Sequence, residues 1–274
     1  MTKGMKSLKQ LTLNLTSMDL NSIKIICNNG EFAKNLTELN VAMNGIDSEG
    51  VKVIASCEHL TNLKSLNLYY NRVDSEGVNS IIHSKYLKQL TELNLGDNDN
   101  IGSDSVALLS STDNLKHLQI LELHENMIGS EGVKSLSNAS LLNQITRLNL
   151  SCNDLCSEDV ALLAKSENLK NLTELSLSRN VICSQGVKYL SESDCTLQRL
   201  RVLDLSENWL DEEALHFLST SLNFENLTRL SLANNRFLQV LQPSDHDEMI
   251  KIFKQEGQSL KNLRYVDIFI NENW

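Results

Sequence analysis

Leucines alternate with polar residues in short segments of this chain, and these segments recur at a nearly constant interval. The recurring unit reads L-x-x-L-x-L-x-x-N-x-I-x-x-E-G-V-x-x-L. Its asparagine occurs eight times, 27 or 28 residues apart, at Asn44, Asn71, Asn98, Asn126, Asn153, Asn180, Asn208 and Asn235. Self-similarity at a fixed period is the sequence signature of a repeat architecture.

Each unit predicts one short strand and one helix. In "LTELNLGDN", Leu93 and Leu95 alternate with polar residues, as in a half-buried strand. The asparagine that follows is expected to bond unpaired backbone groups where the chain turns. In "DSEGVKVIAS", Asp47 or Ser48 is predicted to cap a helix, and an apolar stripe begins at Val51.

The units must stack, because no single unit can bury its own apolar face. Stacked strands lie about 4.8 Å apart, whereas stacked helices need about 10 Å. This mismatch predicts an α/β horseshoe of about ten repeats, with a parallel sheet on the concave face and helices on the convex face.

The ends of the chain depart from the regular pattern. Leu8, Leu11 and Leu13 start a weaker first copy, and Leu263 begins a tenth strand signature after a longer gap. We expect a single domain over residues 1–274, with an N-terminal cap repeat at 1–35, regular repeats at 36–235, and an insertion helix and terminal strand at 236–274. Either the last strand is a terminal cap, or the chain is a fragment of a longer protein.

Charge and cysteine usage limit the functions to consider. The net charge of −10 disfavours nucleic acid and anionic membrane surfaces as partners. No apolar run reaches the roughly 20 residues of a membrane span, and the start of the chain lacks the apolar stretch of a signal peptide. The six cysteines form no C-x-x-C pair, and the repeat contains several N-x-S/T triplets, so we expect function in the cytosol, or synthesis in a bacterium.

Catalytic motifs are absent from the sequence. There is no phosphate-binding loop, no H-E-x-x-H, no G-x-S-x-G and no dinucleotide fingerprint. A lone strand histidine such as His124 is more often a contact residue than a catalyst. Cys156 and Cys183 occupy the same place in adjacent repeats, so they either approach disulfide distance or remain two reduced thiols. We expect no enzyme activity, no cofactor and no metal.

The repeat numbering places an unusual set of side chains on one surface. Counted from the first leucine, places four and six point into the core, places three, five and seven face the concavity, and place eight starts the turn on the rim. Tyr69 and Tyr70 fill places seven and eight of the third repeat, where most other copies carry small or polar residues. Exposed aromatic residues and arginines on a rigid surface are typical of protein-binding anchors. The candidate partner-binding residues are Met43, Tyr69, Tyr70, Arg72, His124, Glu125, Met127, Arg179, Glu207 and Trp209; alternatively, some of them pack on neighbouring rim residues and bind nothing.

The repeat resembles the leucine-rich repeat family, and specifically its ribonuclease-inhibitor-like type with a helix in every repeat. The "SEGVK" and "NLTELNL" segments are also similar to repeats of secreted bacterial effectors of the Legionella kind. The resemblance implies a monomeric protein that binds a protein partner on its concave face, for instance an effector secreted into the host cytosol that clasps and inhibits a host or bacterial enzyme. The alternative is a targeting module of a longer protein. Ribonuclease inhibitor alternates two repeat types and is rich in cysteine, whereas this chain uses one repeat type and has few cysteines. The ligand of ribonuclease inhibitor is therefore not carried over to this chain.

Overall fold

The computed structural model describes residues 7–98, 100–236 and 260–268. The chain divides into two compact units. The first unit comprises Met1–Ile128 and Ala139–Ile145, and the second comprises Gly129–Asn138 and Thr146–Trp274. The insertion helix expected after residue 236 lies outside the described residues, as do Phe269 and Ile270. The division into cap, regular repeats and terminal segment stays a prediction.

In the described part of the first unit, short strands alternate with helices. The strands are β1 (Gln10–Thr12), β2 (Glu38–Asn40), β3 (Ser65–Asn67), β4 (Glu92–Asn94) and β5 (Ile120–Glu122). The α-helices are α1 (Leu20–Asn28), α2 (Gly30–Ala33), α3 (Ser48–Ser56), α4 (Ser75–Ile82) and α5 (Ser103–Ser110), and Ser140–Gln144 forms a 3-10 helix. Each strand pairs in parallel with the next one along the chain, which aligns Leu11, Leu39, Leu66, Leu93 and Leu121 in one column.

The second unit repeats this alternation. It contains α6 (Gly129–Ser137), β6 (Arg147–Asn149), α7 (Ser157–Ala164), β7 (Glu174–Ser176), α8 (Ser184–Ser191), β8 (Val202–Asp204), α9 (Glu212–Thr220), β9 (Arg229–Ser231) and β10 (Tyr265–Asp267). Short 3-10 helices lie at Glu167–Leu169 and Leu222–Phe224. The strands are again parallel and adjacent in chain order. The predicted fold class, an α/β solenoid of strand–helix repeats, is therefore confirmed.

The core of each repeat comes from alternate strand positions and one helix face. Leu66 and Leu68, at places four and six of the third repeat, are fully buried, as are Val78 and Ile81 of α4. The small residue of each "EG" pair permits close packing at the helix start. A Cβ on Gly77 would lie 2.7 Å from Val73 Cγ1 and 2.8 Å from Ser48 Oγ, so a larger residue would clash.

The repeat asparagine bonds backbone groups in two neighbouring repeats, as predicted. The Asn71 Oδ1 accepts from the backbone N–H groups of Asn44 at 3.2 Å and Ile46 at 2.8 Å. Its Nδ2 donates to the carbonyls of Val41, Leu68 and Tyr69 at 3.0–3.2 Å. Because this side chain is buried, it satisfies backbone groups that water cannot reach.

The predicted cap begins α3. Asp47 accepts from the backbone N–H of Gly50 at 3.0 Å at the start of α3.

All six cysteines are free. The Cys183 Sγ lies 3.1 Å from the Ser157 Oγ and is not bonded to Cys156. In the described ranges, no helix has both the length and the apolar character needed to cross a bilayer.

Candidate functional site

The residue at place eight adopts a left-handed backbone conformation in nine of the repeats. The φ angle is 51° at Tyr70, 59° at Met43, 54° at Glu125 and Arg179, and 52° at Glu207. Such values are uncommon for residues other than glycine, but the ladder bonds hold the turn in place. The Tyr70 N–H, for example, donates to the Gly96 carbonyl at 3.0 Å. The conformation fixes where each rim side chain leaves the backbone.

Tyr69, Tyr70 and His124 form one group of rings, which we call the tyrosine cluster. The rings of Tyr69 and Tyr70 have centroids 6.1 Å apart at an interplanar angle of 48°. Tyr69 also stacks on the imidazole of His124, with centroids 5.3 Å apart and planes at 28°. Distances and angles of this kind are typical of favourable aromatic pairs.

A glycine makes the stacking of Tyr69 on His124 possible. These two residues follow β3 and β5, and Gly96 occupies the same place after β4, between them. A Cβ at Gly96 would lie 2.3–2.7 Å from three atoms of the His124 ring. The imidazole therefore fills the space that any other residue would occupy, and reaches across the middle strand to the tyrosine.

Carboxylates surround the tyrosine cluster. The Glu122 Oε2 lies 3.7 Å from the His124 Nδ1. Burial raises the pKa of Tyr69 above its ordinary value, and the negative charges of Glu125 and Asp97 raise it further. The phenol therefore stays neutral through the physiological range and can both donate and accept a hydrogen bond.

The rim beside the tyrosine cluster carries Met43, Arg72, Glu125 and Met127. The Arg72 N–H donates to the Ile46 carbonyl at 2.9 Å, and the Met127 N–H donates to the Ile101 carbonyl at 3.1 Å. These bonds pin both backbones to the preceding repeat, while the Met127 side chain is 64% exposed. The structure thus gathers seven of the ten sequence-predicted residues on one surface of the first unit.

The repeat numbering places Tyr69 and His124 on the concave surface, where we expected exposed side chains, and this expectation is wrong for both residues. Tyr70 is 56% exposed, but Tyr69 is half-buried, and the His124 side chain is only 19% exposed. The stacking across Gly96 accounts for the difference. Packing on neighbouring residues, the alternative drawn from the sequence, therefore describes part of the tyrosine cluster, whereas Tyr70 keeps a large free surface.

The other three predicted residues lie together in the second unit. The ring of Trp209 is 51% exposed and contacts the guanidinium of Arg236, whose Cζ lies 4.7 Å from the centroid. The Arg179 Nε lies 3.6 Å from the Glu207 Oε2. We call these four residues the tryptophan cluster; with Cys152, Asn208, Asn234 and Asn235 they line an open depression of about 520 Å³.

Sequence reasoning did not assign site roles to Gly96 and Arg236. Arg236 follows its repeat asparagine directly, as Trp209 does, so the shared place was the signal that could have paired them. The importance of Gly96 depends on the rotamer of His124, which no sequence pattern reveals. In the parts of the chain that the structure describes, no group of histidine, cysteine and acidic side chains is arranged to hold a metal ion.

Comparisons with known proteins agree with this architecture. The leucine rich repeat family model matches residues 33–55, 59–81, 87–110, 114–137 and 168–191. A solved structure of TLR13 in complex with ssRNA13 superposes with a TM-score of 0.51 at 20% identity, over 97% of this chain and 40% of the TLR13 chain. The chain thus spans less than half of that protein, and the likeness shows the fold alone. None of the curated proteins matches the sequence.

Proposed function

We propose that this chain binds a protein partner without catalysis, and that the tyrosine cluster with its rim is the contact surface. The observation that supports this most is the ring of Tyr70, which is 56% exposed on a backbone fixed by ladder bonds. The solenoid does not require a tyrosine there, because the same place holds Asp97, Glu125 or Cys152 in other repeats with nearly the same φ.

The geometry suits a hot spot for protein recognition. A tyrosine adds a large apolar area with few rotatable bonds, and its hydroxyl can find a hydrogen-bond partner. Since Tyr69 packs beside Tyr70 and is itself held by its stacking on His124, little side-chain entropy is lost when a partner covers Tyr70. Met127 and Arg72 extend the contact area with one adaptable and one planar charged group.

We propose the tryptophan cluster as a second anchor for a protein partner. Arg236 lies over one face of the Trp209 ring, and much of the indole remains exposed to a ligand. The depression beside it offers room for a partner side chain. Tryptophan and arginine are the residue types most enriched at interface hot spots.

In its specific form, the proposal is an inhibitor that clasps an enzyme and covers the active site of that enzyme. The resemblance to ribonuclease-inhibitor-like repeats and to secreted bacterial effectors supports this form, with a host or bacterial enzyme as the target in a cytosol. If it is right, the isolated protein turns over no substrate, and the activity of the enzyme falls linearly with added protein at concentrations above the dissociation constant.

The alternative is a targeting module, in which the repeats recruit a substrate for an activity elsewhere in a longer protein. The two forms differ in what the bound partner loses. An inhibitor abolishes the catalytic activity of its partner, whereas a targeting module leaves that activity unchanged.

Affinity capture with matched variants tests the proposed function. Wild type, Tyr69→Ala/Tyr70→Ala and Leu222→Ala would be immobilised in parallel. Leu222 serves as the control because it is a large exposed apolar residue in a 3-10 helix of the second unit. We expect wild type and Leu222→Ala to retain the same protein and the tyrosine variant to lose it. Equal capture by all three would contradict the proposal.

A further inference from the structure

Three arginines lie at the amino ends of adjacent strands in the second unit. Arg201 precedes β8, Arg229 begins β9 and Arg264 precedes β10. Together with Tyr265, which begins β10, they line an open cavity of about 620 Å³, which we call the arginine groove. All four side chains are exposed. The tryptophan cluster lies beyond the carboxyl ends of strands in the same unit, so the two surfaces are distinct.

Among the described strands, the register places no carboxylate directly beside these three arginines. At the same place as Arg229 but three strands earlier, Arg147 lies beside Glu174, and its Nε is 2.5 Å from the Glu174 Oε2. Arg229, in contrast, is flanked by Val202 and Tyr265.

The other two arginines flank a neutral residue. The Thr228 N–H donates to the Arg201 carbonyl, and the Arg264 N–H donates to the Thr228 carbonyl, so the strand between Arg201 and Arg264 carries a threonine. Among the described residues, no carboxylate forms an ion pair with any of the three guanidiniums of the groove. The nearby ammonium of Lys261, by comparison, is matched by Glu225 at 3.0 Å.

The donors available to a ligand are the guanidiniums. The N–H groups of Arg229 and Thr228 both donate to the Arg201 carbonyl, and those of Tyr265 and Arg264 both donate to the Thr228 carbonyl. The amides of Asn226 and Asn262 donate to the carbonyls of Gln198 and Glu225. A small free anion needs converging, shielded donors, whereas here exposed charges are spread over three strands, which fits an extended ligand.

Tyr265 orients the central arginine. The Arg229 Cζ lies over the Tyr265 ring, 5.2 Å from its centroid, which is a cation–π contact. A guanidinium carries five N–H donors in its plane, a geometry that suits a bidentate acceptor such as a carboxylate.

We propose that the arginine groove docks an acidic segment of a protein partner, with Asp or Glu carboxylates bound by Arg201, Arg229 and Arg264. The net charge of −10 argues against a nucleic acid, whose phosphate backbone would be repelled by the rest of the chain. A short acidic segment needs only a local basic surface. This inference stands independently of the tyrosine cluster.

Fluorescence anisotropy with a labelled oligoglutamate peptide tests the proposal. We expect wild type to bind the peptide more tightly than a glutamine peptide of equal length, with an affinity that falls as salt is added. Arg201→Ala/Arg229→Ala/Arg264→Ala should weaken binding about tenfold, since it removes three exposed charge contacts, each worth roughly twofold in affinity. The milder Arg229→Gln variant should show a smaller loss, and melting curves would verify that both variants are folded.

Matched controls make the result decisive. Lys52→Ala/Lys134→Ala/Lys170→Ala removes the same number of charges from exposed lysines elsewhere and should leave affinity within twofold. Tyr69→Ala/Tyr70→Ala should also bind the peptide normally, which separates this surface from the proposed function. An equal loss in the lysine variant would overturn the proposal, as would tighter groove-dependent binding of a phosphoserine peptide or a DNA oligonucleotide.

Discussion

The imidazole of His124 stacks on the ring of Tyr69 although a whole strand separates the two residues in the sheet. Their centroids are 5.3 Å apart, and the imidazole lies where a Cβ of Gly96 would be. One absent side chain on the middle strand therefore connects rings from the strands on either side. Tyr70 then lies beside this stack, with centroids of the two tyrosines 6.1 Å apart.

We expect Gly96→Ala to break the contact between Tyr69 and His124. The added Cβ would lie about 2.3 Å from the imidazole Cε1, so the ring must rotate away. The loss of an aromatic pair and the displacement of a half-buried ring should lower the free energy of unfolding by about 1 kcal/mol. Chemical denaturation measures the change, and the ring-proton shifts of His124 report its movement.

A double-mutant cycle distinguishes this steric account from a general cost of alanine at that position. In a His124→Ala background, Gly96→Ala should cost far less, because the clashing ring is gone. The same place already holds Ala42 and Ser151, which shows that the backbone there tolerates a Cβ. Equal costs in both backgrounds would mean that the His124 ring does not depend on Gly96.

We expect Tyr70→Ala and Tyr69→Ala to differ in stability. Tyr70 is largely exposed, so its truncation should change the free energy of unfolding by less than about 0.5 kcal/mol. Tyr69 loses its contacts with His124 and Tyr70 and should cost about 1 kcal/mol. Urea titrations of the two single variants would show this order, and the reverse order would contradict the geometry of the tyrosine cluster.

Asn71→Ala should destabilise the protein more than either tyrosine variant. It removes the acceptor for the backbone N–H groups of Asn44 and Ile46 and the donor for three carbonyls. Leaving such buried groups unpaired should cost about 2 kcal/mol or more. The control is Asn79→Ala in α4, where the asparagine is exposed. A comparable loss in both variants would argue against the hydrogen bonds of the repeat asparagine as a source of stability.

The raised pKa of Tyr69 predicts a loss of stability in alkali. Because the fold favours the neutral phenol, its contribution is fully present below the ordinary tyrosine pKa of about 10 and is lost as the pH rises through the higher folded value. Between about pH 10 and that higher value, wild type should lose unfolding free energy more steeply than Tyr69→Phe, as urea titrations at a series of pH values would show.

Neutralising the neighbours tests the cause of this shift. Tyrosinate absorbance should show that Glu125→Gln and Asp97→Asn each bring the pKa of Tyr69 closer to its ordinary value. An unchanged titration in both variants would leave burial and the neighbouring Tyr70 as the causes.

The fold could be predicted almost completely from the sequence because the same pattern of leucines and asparagine recurs in every repeat. Alternating leucines such as Leu93 and Leu95 define the buried strand face, and the asparagine of each repeat has one role that the backbone imposes on it. The left-handed conformation at place eight was not predicted. Residues as different as Leu15, Tyr70 and Asp97 share it, so residue type gives no signal.

The candidate site was predictable in position but not in contact. The numbering of the repeat placed Tyr69 and His124 at the same concave position of their repeats, and Trp209 directly after the asparagine of its repeat. It did not reveal that His124 crosses Gly96 to reach Tyr69, or that Arg236 covers the Trp209 ring, because both contacts depend on rotamers set by neighbours. The arginine groove was missed because Arg201, Arg229 and Arg264 are unusual only when compared across adjacent strands.

Photo-cross-linking from position 70 tests the central claim most directly. A photoreactive phenylalanine analogue would replace Tyr70, and an equal probe at the exposed Lys134 of α6 would serve as the control. In cell lysate, the account predicts one protein adduct from position 70 that excess wild type suppresses and Tyr69→Ala/Tyr70→Ala does not, with no such adduct from position 134. A suppressible adduct from position 134 and none from position 70 would contradict it and place the interface elsewhere.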